Sequence, residues 1–385
     1  MNSKFSSTIL RFKVDTLTPV HTGSGRVLQN GIDYLVREGK VWYPDLKKLF
    51  EFVGEAGLQQ WATDILEEKN FLEEIVEKRH KKVSEFSKQS LPYEAGVERQ
   101  VNQLREQFRN TYTGNPVLPG SSIKGALRTA LITQKLIFSF RGNTDRIGLD
   151  KLNNNNHHNK LMAEAISINR RENAGPQNDI FRFLAVPDAE LRPEDLKVYR
   201  FRTLNYKSYS NYETWMIDRK LDILGEAIEG SFEMEMRISS RFFDSNRLGI
   251  KRPGDIIETI NKHTMSILEP EIESFQDDLD NDFFEDSKFG EDFIDQMLKL
   301  KKAGESKGSA LMRLGFGSGW DYMTGSWLKE INNVDEDEED KFWNEVKKRL
   351  RRRGYEDFFF PKTRKVLSDG RLPGFVLLKL IDTNE

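Results

Sequence analysis

Residues 7–25 read STILRFKVDTLTPVHTGSG. Apolar and polar side chains alternate through Phe12 and Val14, the period of a strand with one buried face. Pro19 ends that strand. His21 then precedes Gly23 and Gly25, with Ser24 and Arg26 beside them. Glycine-flanked loops expose backbone N–H groups and let an extended ligand approach closely. Histidine titrates near neutrality, so His21 could serve as an acid or base, but for a lone histidine with no nominated partner a ring bond to the turn backbone is the commoner case.

The strand signal recurs along the chain. Residues 32–43 form a hairpin turning at Glu38-Gly39, and Pro44-Asp45 open a helix. From 57 to 110 the pattern is helical and highly charged. The polar stretch 142–160 reads as a surface loop. NDIFRFLAVPDAEL (178–191) is a short strand broken at Pro187. KVYRFRTLN (197–205) alternates again, and so do Phe232, Met234, Met236 and Ile238 after a turn at Gly230. A helix begins near Gly254, 276–290 is an acidic connector, and DGRLPGFVLLKLI (369–381) is a closing strand. Such runs fit an α+β class with helices packed on one face of an antiparallel sheet. Two such units, 1–190 with a helical insertion and 191–385, would be two ferredoxin-like (RRM-like) domains.

Residues 118–131, LPGSSIKGALRTAL, turn at Pro119-Gly120 and enter a helix that Ser121 or Ser122 can cap. Lys124 and Arg128 share one face in the first turns, where the helix dipole disfavours cations, and Gly125 stands where alanine is the better helix former. A phosphate at the helix end, facing Gly120, Ser121 and Ser122, accounts for these penalties. A surface helix with ordinary basic residues accounts for them too. Late in the chain, MRLGFGSGW places Gly315, Gly317 and Gly319 at alternate positions between Arg313 and Trp320. It is neither a dinucleotide fingerprint nor a P-loop. Glycines beside Arg313, Phe316 and Trp320 suit a nucleic-acid backbone with stacking groups nearby, or a tight turn packed on a sheet.

Composition narrows the classes. The 385 residues have room for about two or three domains. There is no cysteine, hence no disulfide, and no apolar run reaches a membrane span. The expectation is a soluble, cytoplasmic protein without a signal peptide. With 59 Lys+Arg against 62 Asp+Glu, any nucleic-acid binding must rest on local basic tracts. Asp278, Asp280 and Asp282 imitate a calcium loop, but Phe283 and Phe289 stand where it needs glycine and glutamate. The charged run 335–354 reads as a solvated helix with acids first and Lys347 to Arg353 last. Five scattered histidines make no metal site, and neither cofactor nor metal is expected.

Three stretches in this order, LTPVHTGSG, LPGSSIKGALRTAL and RLGFGSGW, resemble the RAMP superfamily of CRISPR effector proteins. WYPD (42–45) and FRFLAVPDA (181–189) fit the same pattern. KTRKVLSDGRLPGFVLLKL (362–380) resembles the subunit that caps the 3′-side end of the type III-A (Csm) complex. The resemblance implies two ferredoxin-like domains and a non-catalytic subunit. It would bind the 3′ part of the guide RNA (crRNA) and support its maturation in antiviral defence. The implied partners are crRNA, the neighbouring RAMP backbone and small subunits, and host nucleases. RNA contacts would fall on His21, Gly23, Ser24, Gly25, Arg26, Gly120, Ser121, Ser122, Lys124, Arg128, Arg313, Gly315, Gly317 and Gly319. Two alternatives are a metal-independent RAMP endoribonuclease with His21 as general base, and a purely structural assembly subunit.

Overall fold

The computed structural model describes residues 6–67, 70–79, 82–94, 101–140, 160–161, 163, 165–169, 175–209, 212–244, 248–325 and 361–384. Of the polar stretch 142–160 only Lys160 is among them, and the charged run 335–354 lies outside them.

A five-stranded antiparallel sheet is ordered β14 (Ser309–Arg313), β16 (Phe375–Asn384), β1 (Ser7–Thr16), β13 (Ser231–Ser239), β8 (Leu184–Ala185). Its register is set by the alternation met in the sequence. Leu10 pairs with Met236 and Phe12 with Met234, all buried, while Arg11 pairs with Glu235 on the outer face, 3.1 Å apart. The inner face packs on Ile123, Leu127 and Leu131 of α3 (Gly120–Phe140) and on Ile256, Ile257 and Ile260 of α5 (Pro253–Asp280). The C-terminal half of α5 passes into a second core. There Ile272 and Phe275 meet Phe293 and Met297 of α6 (Ser287–Gly304), together with Leu311 and Leu377. β14 is buried along its whole length because a core lies on each side of it.

A nine-stranded mixed sheet follows β2 (Gly23–Gln29), β6 (Gln103–Gln107), β12 (Ile223–Ile228), β10 (Leu196–Tyr209), β5 (Ser87–Glu94), β4 (Lys40–Pro44), β3 (Leu35–Arg37). β11 (Tyr212–Ile217) and β15 (Thr363–Val366) also pair with β10. β7 (Val117–Leu118) and β9 (Ala189–Glu190) form a separate small ladder. Segments from both sides of position 190 contribute to both large sheets. Two further helices, α1 (Leu46–Leu66) and α2 (Phe71–Arg79), close a small core of their own around Leu49 and Ile75. The short α4 (Ser240–Asp244) follows β13.

Three stretches depart from the sequence reading. Residues 87–107, expected to be helical, supply β5 and β6, whose polar sequences bury little beyond Leu91, Leu104 and Gln107. The glycines after His21 open a strand instead of a loop, with a register irregularity between Gly23 and Val27. The acidic stretch 276–290 is a helix end, a tight turn and a helix start. There Asp278 accepts from Trp215 Nε1 at 2.9 Å, and Asp286 caps α6 by accepting from Phe289 N at 3.0 Å.

On α5, His263 is 4 % exposed and its Nδ1 has no hydrogen-bond partner. Burial pushes its pKa down to about 4. Below pH 6.5 the unfolded chain takes up a proton that the folded chain refuses. Stability from this group is therefore full above 6.5 and lost as pH falls toward 4. Relative to a His263→Leu variant, the wild type should lose about 3 kcal/mol between pH 7 and pH 4. Urea midpoints for the two proteins across that range measure the difference, and parallel curves would refute a neutral buried imidazole.

Candidate nucleic-acid interface

The segment after β1 threads between the two large sheets. Thr18 Oγ1 accepts from Phe375 N at 2.8 Å, and Val20 exchanges backbone hydrogen bonds with Ile228 of β12, both 2.9 Å. His21 follows, 3 % exposed. Its Nδ1 lies 2.6 Å from the Glu226 carbonyl oxygen. A carbonyl only accepts, so Nδ1 carries the proton and Nε2 is left as the acceptor. Burial lowers the His21 pKa, Arg105 adds to the shift, and the imidazole is neutral at pH 7. The ring packs on Phe201 and edge-on against Phe316, with centroids 6.1 and 5.8 Å away.

Phe316 belongs to the late glycine loop, and its backbone N–H donates to His21 O at 2.8 Å. The first and last glycine motifs, nearly 300 residues apart in sequence, are thus one structure. Gly315 sits at φ +80°, and a Cβ there would lie 2.5 Å from His21 O. Only glycine meets both demands. Arg313, 3 % exposed, holds the loop from beneath. Its Nη2 donates to Gly317 O at 3.0 Å and its Nε to Pro373 O at 3.1 Å, while the guanidinium lies 5.0 Å from the ring centres of both Tyr322 and Phe375. Arg313 shapes the loop from the interior, with these donors spent on the chain's own carbonyls.

The outer side of the loop carries different groups. Half-buried Phe316 has the Arg105 guanidinium of β6 4.7 Å and the Lys365 ammonium of β15 5.9 Å from its ring centre. Lys365 Nζ donates to Thr203 Oγ1 at 2.6 Å, and burial followed by Arg105 lowers its pKa. Arg105 is exposed and makes no ion pair among the described residues. On the neighbouring strand Ser24 Oγ donates to Glu106 at 2.8 Å, and Arg26 reaches the same carboxylate at 3.3 Å. Gly23 lies against the His21 ring and Gly25 takes φ +90°. A half-buried aromatic ring with two cations beside it can join a base stack while the cations neutralise a phosphate. Arg105 belongs to none of the quoted motifs, and Lys365 lies in the closing 362–380 stretch without being marked there as a contact; both sit in strands whose pairing with distant segments is invisible in local periodicity.

LPGSSIKGALRTAL has a second partner within the chain. It docks on residues 179–189, the other stretch that shares its pattern. Gly120 N donates to Asp188 Oδ1 at 2.8 Å, and a Cβ on Gly120 would meet Val186 O at 2.0 Å. Lys124 Nζ donates to Leu184 O at 2.7 Å. Arg128 pairs with Asp179 at 2.5 Å and lies over Phe181. The anion at this helix end is therefore a protein carboxylate, and the basic first turns are matched by groups of the 179–189 segment. Ser121 and Gly125 are exposed and Ser122 is half-buried. Upstream, β7 joins the helix to the interface, because Val117 O accepts from Gln107 Nε2 at 2.9 Å.

A family model described as the RAMP superfamily matches residues 13–355. Among solved structures, the chain is similar to a chain of a Csm–crRNA–target RNA ternary complex from a type III-A CRISPR-Cas system. That match has TM-score 0.70 and 20 % identity, and covers 96 % of this chain and 100 % of that one. It is also similar to the crystal structure of Csm5 from T. onnurineus, with TM-score 0.63, 18 % identity, and 94 % and 99 % of the two chains covered. No curated protein sequence matches it. At these identities the likeness to solved structures is one of fold.

The glycines of the late loop should differ sharply in cost. Gly319, at φ +81° with open space around it, should lose about 1 kcal/mol as Gly319→Ala, from backbone strain alone. Gly315→Ala adds a clash with His21 O and should cost about 3 kcal/mol. Urea denaturation of both variants measures the gap, and equal costs would detach the loop from His21.

Proposed function

The chain belongs to the RAMP superfamily, and from that premise we propose that it is a non-catalytic RNA-binding subunit of a type III-A (Csm) ribonucleoprotein in antiviral defence. It binds the 3′ part of the crRNA, caps that end of the complex and supports crRNA maturation. Its partners are crRNA and the neighbouring backbone and small subunits, and its two ferredoxin-like RAMP units are built on the two large sheets, each drawing strands from both sides of position 190. The likeness to a subunit of a crRNA-bound Csm complex and to Csm5 supports this reading. The observation that carries it is Phe316 with Arg105 and Lys365 over its ring. Backbone phosphates supply most of the affinity for single-stranded RNA, and a stacking ring adds sequence-tolerant binding.

The endoribonuclease reading asks His21 to abstract a proton. The ring is almost fully buried, its Nδ1 is spent on Glu226 O, and Nε2 faces Gly23. That placement favours a positioning role over general-base work.

Arg105→Ala with Lys365→Ala should weaken binding of single-stranded guide RNA and reduce the slope of log affinity against log salt by about 1.4, or roughly 0.7 per lost phosphate contact. An unchanged slope in filter binding between 50 and 300 mM salt would remove RNA from this face. The purified wild-type chain should leave a guide-RNA precursor intact, with Mg²⁺ or with EDTA. Specific metal-independent cleavage that His21→Gln abolishes would make the chain the endoribonuclease instead.

A further inference from the structure

The chain between β6 and β7 makes a short loop that ends in a bare aromatic ring. Asn110 N donates to Asn115 O and Gly114 N to Asn110 O, both at 2.9 Å, and Gly114 takes φ +73°. The Asn110 side-chain oxygen accepts from Tyr112 N at 2.9 Å and from Thr113 N at 3.3 Å. Glu190 of β9 then clamps the loop from below. Its carboxylate accepts from Asn110 Nδ2 at 2.8 Å, Thr113 Oγ1 at 2.6 Å and Asn115 Nδ2 at 2.7 Å. None of these bonds uses the Tyr112 side chain. The ring stands at the tip with the residue 97 % exposed, and Phe108 at the loop's base is 40 % exposed.

A turn of this kind needs no aromatic residue at its apex, and an exposed ring gains nothing for folding. A rigid loop presenting a tyrosine is, however, what a binding hot spot requires: large amphipathic area with the ordering entropy already spent. The local charge selects the occupant. Arg109, the loop's one cation, is committed to Glu226 at 2.9 Å and to Gly114 O. Glu190 remains as the charge beneath the tip. A carboxylate there repels phosphates, unlike the cationic surround of Phe316, and attracts a cationic protein rim.

We propose that the 108–116 loop is a protein-docking element, with Tyr112 inserting into an apolar, basic-rimmed pocket on a neighbouring protein subunit. The proposal rests on the reading that this chain works within a multisubunit ribonucleoprotein. The test is the reconstituted, guide-loaded complex with the photo-crosslinker p-benzoylphenylalanine in place of Tyr112. Irradiation should give a ribonuclease-resistant adduct to a different protein subunit, at an apolar site flanked by Lys or Arg. An adduct to RNA, an adduct to a second copy of this chain, or no adduct would each overturn the proposal. In parallel, Tyr112→Ala should keep the unfolding midpoint and RNA affinity of the isolated chain while weakening its association with the complex about thirtyfold. Unchanged association would overturn it equally. RNA binding by the Arg105 and Lys365 variant reports separately on the proposed function, so either reading can fail without the other.

Discussion

Everything at the interface hangs on one buried carboxylate. Glu226 of β12 is fully buried, a costly place for a charge unless every oxygen is matched. It is matched here. Oε1 accepts from Tyr43 OH at 2.5 Å and Arg109 Nη2 at 2.9 Å, and Oε2 accepts from Gln107 N at 2.9 Å. Burial and Glu226 both push the Tyr43 hydroxyl pKa well up, so it stays a proton donor. The Glu226 carbonyl takes the His21 ring proton. One residue therefore ties β4, β6 and the segment between the two sheets to the centre of the larger one. Removing any charged partner would strand a buried ion, at a cost of about 3–5 kcal/mol.

From Glu226 the constraint passes outward by contact. Gln107 accepts from Thr22 N at 2.8 Å and donates to Thr22 Oγ1 at 2.6 Å, fixing the chain on the far side of His21. His21 O receives Phe316 N, and the glycine loop closes over it with Arg313 below. Phe316 is thus held by a backbone bond to a residue that is itself held by a buried ion cluster. Preorganisation of this kind lets a ring stack without first being ordered.

How much of this was legible follows from the physics of each signal. β1 and β13 were readable because one face of each is buried, so the burial writes itself into period two. The three glycine motifs were readable because close approach and positive φ exclude other residues. Their partnership was not: nothing local in HTGSG says that His21 meets a loop near residue 316. Arg105 and Lys365 escaped because β6 and β15 are short, polar and stabilised by pairing. Arg313, Lys124 and Arg128 were legible as conspicuous cations, but the sequence could not say that each would find partners inside the chain. Glu226 did leave a signal, a lone acid in the apolar run ILGEAI. An acid in a run that must be buried has to be paired, but the run itself does not point to Tyr43 and Arg109, which lie more than 100 residues upstream.

The same accounting explains how a chain with net charge −3 presents a basic face. Acids elsewhere are consumed: Glu229 takes Lys197 at 3.4 Å and Arg371 at 2.7 Å, and Glu271 takes Arg364 at 2.5 Å inside the second core. Around the glycine loop the balance reverses. Asp222 stands among Arg200, Arg202, Arg219 and Lys365, and burial raises its carboxyl pKa despite those four cations. Arg105, Arg202 and Arg219 make no ion pair among the described residues. Asp222 offsets part of their charge, and the remainder stands near half-buried Phe316. On the proposed reading, a small net charge keeps long-range attraction for nucleic acid weak and leaves affinity to the local cluster, which favours a polyanion that fits this face.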